Sequence, residues 1–191
     1  MPTKYYFDNA ATTPVREEVL QEILPYFREY YGNASSIYSI AKESKKALEA
    51  ARAKVAAAIG ATPDEIYFTA GGSESDNMAL RGVVNASKKE KKHIITTKIE
   101  HHAILHTAEF LETKGVDVTY LNVDEFGKIS LEELENAICP ETVLISVMFA
   151  NNEIGTIQPI AEIGEIAKKH GVLFHTDAVQ AVGHVPIDVE K

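Results

Sequence analysis

A carboxylate follows an apolar, strand-like run late in the chain. The run 172–174 leads into His175, Thr176 and Asp177. In a parallel sheet covered by helices, ligands bind at the carboxyl ends of the strands. A carboxylate half-buried there needs a cationic or hydrogen-bonding partner, because leaving it bare in a low-dielectric site is costly. We therefore expect Asp177 either to pair with a cation, such as a protonated ring nitrogen, or to cap the turn that follows.

Two glycines and a serine follow an earlier apolar run, 66–69. Glycines let backbone N–H groups approach an anion, and the amino end of a helix adds partial positive charge. Gly72 and Ser73 thus predict a phosphate cradle, although Ser73 as an ordinary helix N-cap explains the same residues. The stretch 70–77 lacks the Gly-Lys-Ser/Thr ending of a P-loop and the spacing of a dinucleotide site. A small phosphorylated cofactor fits better than ATP or NAD.

Polar residues also follow two other apolar runs. His101 lies within 100–102 after one run, and Asn152 lies within 151–155 after another. An imidazole can stack on a flat heteroaromatic ring and move protons near neutral pH, and an Asn amide can hydrogen-bond a ring oxygen. Taken singly, His101 is explained as a surface or core histidine and Asn152 as a turn residue. Their joint appearance after successive strands favours a pyridine-type cofactor.

A metal site is the alternative for this region, with imidazole and carboxylate ligands from His101, His102, His175 and Asp177. Their spacing matches no metallohydrolase signature, and a metal would leave the glycine-rich turn without a purpose. The single cysteine, Cys139, excludes an internal disulfide and a Cys-x-x-Cys metal site. We therefore expect no bound metal.

These residues need a scaffold that brings the ends of several strands to one edge. The predicted strands are 66–69, 94–97, 116–121, 143–148 and 172–174, and amphipathic helices are predicted between them near 75–85, 103–114, 130–138 and 160–170. Upstream, one helix is expected from Val15, which Pro25 should end or follow with a second short helix, and another is expected from about Lys42 to Ile59. This alternation is typical of a mostly parallel sheet in a three-layer α/β/α sandwich.

Composition narrows the classes of partner. The 191 residues are 45% hydrophobic, enough for one large domain with a real core. The formal net charge of -9 disfavours nucleic acid and anionic membranes as partners. No apolar stretch approaches the roughly 18 residues of a membrane span, and the first residues lack the apolar core of a signal peptide. We expect a cytoplasmic protein that binds neither nucleic acid nor membrane.

Motifs in a fixed order along the chain carry a family resemblance; they are 7–14, 71–77, 100–102, 151–155 and 175–180. Together they resemble the cysteine desulfurases of the NifS/IscS type, pyridoxal-phosphate enzymes of the class V aminotransferase group. The resemblance implies the large cofactor domain of a fold type I pyridoxal-phosphate enzyme, truncated here. It implies an N-terminal arm over 1–14 that belongs to a small domain, and a partial large domain over 15–191.

The resemblance also implies a role for each candidate residue. Gly72 and Ser73 would hold the phosphate of pyridoxal 5'-phosphate. His101 would stack on the pyridine ring and shuttle a substrate proton, which makes it the implied catalytic residue. Asp177 would pair with the protonated pyridine nitrogen, so that the ring acts as an electron sink.

Two further residues are implied to contact the edge of the ring. Asn152 would lie against the ring hydroxyl and the substrate side, and Gln180 would hydrogen-bond the phenolic oxygen. The implied reaction converts L-cysteine to L-alanine and passes sulfur on as an enzyme persulfide for iron–sulfur cluster or thio-cofactor assembly. The implied partners are a second copy of the enzyme and an iron–sulfur scaffold or another sulfur acceptor.

The family's Schiff-base lysine, nucleophilic cysteine and substrate-binding arginine have no counterpart before Lys191. Cys139 is no substitute, since it is predicted beside Pro140 without an activating cation. We expect an N-terminal fragment that is inactive alone, whether truncated, proteolytic or part of a split enzyme. Two other functions stay open: another class V enzyme such as selenocysteine lyase, or a catalytically silent domain that binds a phosphate ligand or a protein.

Overall fold

The structure, a computed structural model, describes residues 5–190 and divides them into two compact units. The first unit contains residues 5–67 and Ile187–Glu190, and the second contains Phe68–Pro186. The predicted arm over 1–14 begins outside the described residues. The predicted boundary between arm and large domain stays a prediction.

The first unit is helical. Its elements are α1, Glu17–Arg28; α2, Ser39–Ile59; and a short 3-10 helix, Pro63–Glu65. Helix α1 runs through Pro25 without a break, so the prediction that this proline ends the helix or starts a second short one was wrong. Pro25 lies in the last turn, where its missing N–H removes a single helical bond, and its carbonyl still accepts from the N–H of Glu29 at 2.7 Å.

The second unit is a parallel sheet with helical crossovers. Its elements are α3, Gly72–Ala86; β1, His93–Thr97; α4, His102–Glu112; β2, Asp117–Leu121; α5, Leu131–Ala137; β3, Thr142–Ser146; α6, Ile160–His170; and β4, Leu173–His175. The four strands are all paired in parallel, in the order β2-β1-β3-β4. The predicted α/β fold is confirmed. None of the helices in the described residues is long and apolar enough to cross a membrane.

Helices cover both faces of this sheet because successive residues of a strand point in opposite directions. On β1, Ile94 packs into one buried cluster with Leu80 of α3 and Ile104 of α4. Its neighbour Ile95 packs into a second cluster with Ile163 of α6. The sheet is therefore the middle layer between two layers of helices.

The predicted strand over 66–69 is absent from the structure. Tyr67 is 76% exposed, and neither edge of the sheet, β2 or β4, is paired with this segment. An apolar run becomes a strand only where a neighbouring strand takes up its backbone hydrogen bonds. The segment is extended chain that leads into α3.

Truncating two register partners tests the burial of the strands. Leu144 on β3 faces Leu173 on β4, yet Leu144 is 2% exposed and Leu173 is 60% exposed. Leu144→Ala should lower the free energy of unfolding by about 2–5 kcal/mol, because it leaves a cavity in the core. Leu173→Ala should lower it by less than about 1 kcal/mol. Urea denaturation followed by circular dichroism measures both, and equal losses would contradict the arrangement described.

Candidate active site at the carboxyl edge of the sheet

Helix α3 begins with unpaired amide groups at the predicted phosphate cradle. Gly71 is the N-cap and makes no side-chain cap, so Ser73 lies inside the first turn and the interpretation of Ser73 as N-cap was wrong. The N–H groups of Glu74 and Ser75 both donate to the carbonyl of Gly71. Among residues 5–190, the N–H groups of Gly72 and Ser73 have no acceptor. Such groups attract an anion at a helix amino end.

Gly72 also permits a close approach between α3 and the turn after β4. A Cβ atom on Gly72 would lie 3.0 Å from Cγ2 of Val179, tighter than an ordinary contact. Val179 in turn donates its backbone N–H to Oδ1 of Asp177. The free amides of α3 and the segment that carries Asp177 are therefore neighbours.

His101 caps helix α4. Its Nδ1 accepts the N–H of Ala103 at 3.1 Å, so a neutral ring carries its proton on Nε2. The ring is exposed and lines a groove of about 460 Å³ between α3 and α4 together with Ser73. The structure thus brings His101 and Ser73 to one groove and leaves Nε2 of His101 free to exchange protons.

Asp177 lies past the end of β4 and is 9% exposed. Its carbonyl accepts from the N–H of Phe149 at 2.8 Å, which extends the pairing of β3 and β4. Oδ1 accepts from the N–H of Val179 at 3.0 Å, so the carboxylate does cap the following turn. Among the described residues, Oδ2 has no hydrogen-bond partner. Asp177 can cap the turn with one oxygen and accept a cationic donor with the other.

Two further buried carboxyl groups, those of Asp76 and Glu100, lie near Asp177. Asp76, Glu100 and Asp177 together form the acidic cluster. Asp76 of α3 is 4% exposed, and burial, followed by repulsion from Asp177, raises its pKa to about 6. Glu100 is 5% exposed, and burial raises its pKa to about 7. Both residues stand in motifs recognised in the sequence, but sequence reasoning gave neither a role. No local signal showed that separate loops would bring them together.

His175 lies beside the acidic cluster on β4. Its Nε2 is 3.7 Å from Oδ1 of Asp76, and its Nδ1 is 2.9 Å from Oγ of Ser146. Burial lowers the pKa of His175, so the ring is mostly neutral at neutral pH. Asp76 therefore has no full positive charge beside it from this residue.

The other two predicted residues lie outside these contacts. Asn152 is partly exposed and donates to its neighbour Glu153 at 3.2 Å. Gln180 is exposed in the turn after Asp177 and makes no hydrogen bond with the described residues. The buried amide is instead Asn151, whose Nδ2 donates to the carbonyl of Ile99 at 2.9 Å. The cofactor contacts assigned to Asn152 and Gln180 stay predictions.

Cys139 lies near the amino end of β3, away from the carboxyl ends of the strands where the other candidate residues lie. Its Sγ is 3.4 Å from Nδ1 of His93 and 3.4 Å from Oγ1 of Thr142. Burial lowers the pKa of His93, so this ring supplies no positive charge to activate the thiol. Within residues 5–190, no group of three or more His, Cys, Asp and Glu side chains is arranged to hold a metal ion.

The family model described as "Aminotransferase class-V" matches residues 5–191. The chain belongs to the class-V aminotransferase family.

The relatives of this class-V aminotransferase chain include named desulfurases. It is 62% identical to the cysteine desulfurase IscS of Methanosarcina thermophila, over 97% of this chain and 46% of that protein. A solved NifS-like protein superposes with a TM-score of 0.95 at 45% identity, over 99% of this chain and 52% of that one. SspA, solved in complex with cysteine, gives 0.95 at 44% identity, over 98% of this chain and 54% of that one. The resemblance to NifS/IscS proteins is confirmed, and the chain spans about half the length of the curated relatives it matches.

Asp76→Asn tests the acidic cluster of this class-V aminotransferase chain. The folded state raises the pKa of Asp76 from 3.8 to about 6, so it binds the proton more tightly than the unfolded chain does. The free energy of unfolding therefore falls as pH rises through this window. Asparagine cannot titrate, so the variant should lose less stability than the parent between about pH 4 and about pH 6. The matched change Asp64→Asn, at an exposed site, should follow the parent. Plots of the free energy of unfolding against pH that run parallel for all three proteins would contradict the raised pKa of Asp76.

Proposed function

We propose that this chain forms the cofactor-binding part of a pyridoxal-phosphate-dependent cysteine desulfurase. One observation carries the proposal: the buried carboxylate of Asp177, with Oδ2 unpaired among the described residues, neighbours a helix start whose first two N–H groups are also unpaired. A cation is needed at one place and an anion at the other. Pyridoxal phosphate carries a protonatable ring nitrogen and a phosphate group, so it meets both demands.

The residues present fit the cofactor chemically. The N–H groups of Gly72 and Ser73, with the Ser73 hydroxyl, would bind the phosphate at the positive end of α3. Asp177 would hold a proton at the ring nitrogen through Oδ2. When bound, the cofactor supplies an electron sink for the carbanion formed at the substrate carbon.

His101 would carry the proton transfer. Its Nδ1 is engaged by the N–H of Ala103, which leaves Nε2 as the atom that moves a proton to or from the substrate. This hydrogen bond also fixes the ring at the start of α4, so the proton donor is positioned before a ligand binds. Asn152 and Gln180 would complete the cofactor site at the oxygen on the ring, as the family resemblance implies.

L-cysteine is the proposed substrate. The support is the name cysteine desulfurase given to relatives above 50% identity and the cysteine in the related SspA complex. The product sulfur would pass as an enzyme persulfide to an iron–sulfur scaffold or another acceptor. Assembly as a homodimer, that sulfur acceptor and a cytoplasmic location belong to the same proposal and rest on the family resemblance alone. The chain by itself is proposed to lack desulfurase activity.

Cofactor binding by the 191-residue chain tests the site directly. Pyridoxal phosphate should bind reversibly, and borohydride should fix none of it within the groove between α3 and α4, because no lysine lines that groove. Ser73→Ala should weaken binding about tenfold, the scale of one lost hydrogen bond to a charged group. Ser87→Ala, at the other end of α3, should leave binding unchanged. Fluorescence titration measures all three proteins, and equal affinities for Ser73→Ala and the parent would contradict the cradle.

Asp177→Asn tests the charge at the ring nitrogen. The assay needs a chimera in which this chain replaces the matching half of the Methanosarcina relative. The amide keeps the shape but removes the charge, so sulfide release from L-cysteine should fall by at least about 100-fold, the scale of positioned electrostatic groups. Ser73→Ala in the same chimera should regain most of its rate in excess cofactor, whereas Asp177→Asn should not. Turnover within a few-fold of the parent, with cofactor bound, would make Asp177 a turn cap only.

A further inference from the structure

Glu100 ties together two strand ends next to His101. It lies between β1 and α4, and its Oε1 accepts the hydroxyl of Thr97 at 2.8 Å. The same oxygen accepts the backbone N–H of Met148 at 2.9 Å, from the segment that follows β3. One carboxyl oxygen therefore joins the end of β1 to the chain beyond β3, immediately before the residue that caps α4.

The second carboxyl oxygen of Glu100 is buried and has no hydrogen-bond partner among the described residues. A negative charge on Oε2 would face neither water nor a donor, which is costly in a protein interior. A proton on Oε2 removes that charge and leaves both hydrogen bonds to Oε1 intact, because a protonated carboxyl group keeps its acceptor capacity.

The surroundings of Glu100 add negative charge and little positive charge. Asp177, after β4, and Asp76, on α3, both disfavour ionisation of Glu100, in addition to burial. His175, on β4, is held mostly neutral by burial. The hydrogen bonds from Met148 and Thr97 act in the opposite direction but do not cancel the effect of burial, since the pKa of Glu100 is still raised to about 7.

A second side chain fixes the same segment from the other direction. Nδ2 of Asn151 donates to the carbonyl of Ile99 at 2.9 Å. Oδ1 of Asn151 accepts the N–H groups of Glu153 and Ile154, and so holds the turn around Asn152. The loop before His101 and the loop that carries Asn152 are thus bound to each other through buried side chains.

We propose that Glu100 is a positioning residue for His101: protonated on Oε2, it locks the start of α4 to the end of β3 without adding a second charge beside Asp177. The inference rests on the proposed function, because that function gives His101 its proton-transfer role. In this arrangement the hydrogen bonds of Glu100 set where the imidazole stands. The neutrality of Glu100 leaves Asp177 to interact with the cationic ring nitrogen.

Two substitutions separate the hydrogen bonds of Glu100 from its charge. Glu100→Gln keeps an acceptor at Oε1 and puts an uncharged NH₂ group in place of the protonated oxygen. Glu100→Ala removes both. Glu165→Gln, at an exposed position of α6, is the control for the loss of a glutamate. If Glu100→Ala fails to fold, Thr97→Val replaces it, since it removes one of the two donors to Oε1.

Imidazole ¹⁵N spectra of the 191-residue chain give the first readout. The parent, Glu100→Gln and Glu165→Gln should all show His101 as a single tautomer protonated at Nε2, with Nδ1 accepting from Ala103. Glu100→Ala, or Thr97→Val in its place, should shift His101 toward a mixture of tautomers. A loss of stability alone does not change a tautomer in the folded state. An unchanged His101 signal in these variants would overturn the proposal.

The pH dependence of stability gives the second readout. The folded-state pKa of Glu100 is raised from 4.5 to about 7, so the parent loses stability as pH rises through this window and Glu100→Gln should not. The two should be equally stable near about pH 4.5, and the folding constant of Glu100→Gln should exceed the parent's by on the order of 100-fold above about pH 7.5. A glutamine variant less stable than the parent at the higher pH would show that the charged form is the stabilising one, and would overturn the proposal.

Cofactor titration separates this inference from the proposed function. Loss of the His101 tautomer in Glu100→Ala, its retention in Glu100→Gln and no binding of pyridoxal phosphate to the parent would support positioning by Glu100 and reject the cofactor site. Normal binding with a His101 signal that ignores both variants would support the cofactor site and reject positioning by Glu100.

Discussion

The cost of burying carboxyl groups close together governs the chemistry of this sheet edge. Asp76, Glu100 and Asp177 come from α3, from the loop before α4 and from the end of β4, and each is less than a tenth exposed. Burial disfavours the ionised forms of Asp76 and Glu100, and the negative charge of Asp177 disfavours them further. Such a cluster is stable where some members take up protons and the rest meet a cation. The number of protons on these three carboxyl groups and the binding of a cationic ligand beside them are therefore linked.

The parallel sheet brings these carboxyl groups close together and also places polar side chains beside them. All four strands run in one direction, so the loops after β1, β3 and β4 lie together at the carboxyl ends of the strands. The same geometry points Ser146 and His175, which are register partners, at each other, and aims Nε2 of His175 toward Asp76. Burial keeps that ring mostly neutral, so the histidine provides polarity without much charge.

Periodicity in the sequence predicted most of the second unit, because the helices and central strands follow their own local patterns. It failed where a distant partner decides the outcome. Residues 66–69 have strand composition but do not pair with the sheet formed by the described residues. Ser73 has the composition of an N-cap, but Gly71 occupies that position. The residues of the motifs were visible, but the hydrogen bond from Met148 to Glu100 joins positions far apart in the chain. No local pattern reports such a bond.

Within two motifs, a buried residue that makes structural hydrogen bonds stands next to a more exposed residue that is proposed to meet a ligand. Asn151 is buried and holds two loops together, whereas Asn152 is partly exposed beside it. Glu100 is buried and joins strand ends, whereas His101 is exposed with one ring nitrogen free. In both motifs a buried residue directly precedes a more exposed residue that is proposed to meet the ligand. The position of the more exposed side chain then depends on the hydrogen bonds of the buried one. A change at Glu100 or Asn151 should therefore alter the site, although neither residue touches a ligand.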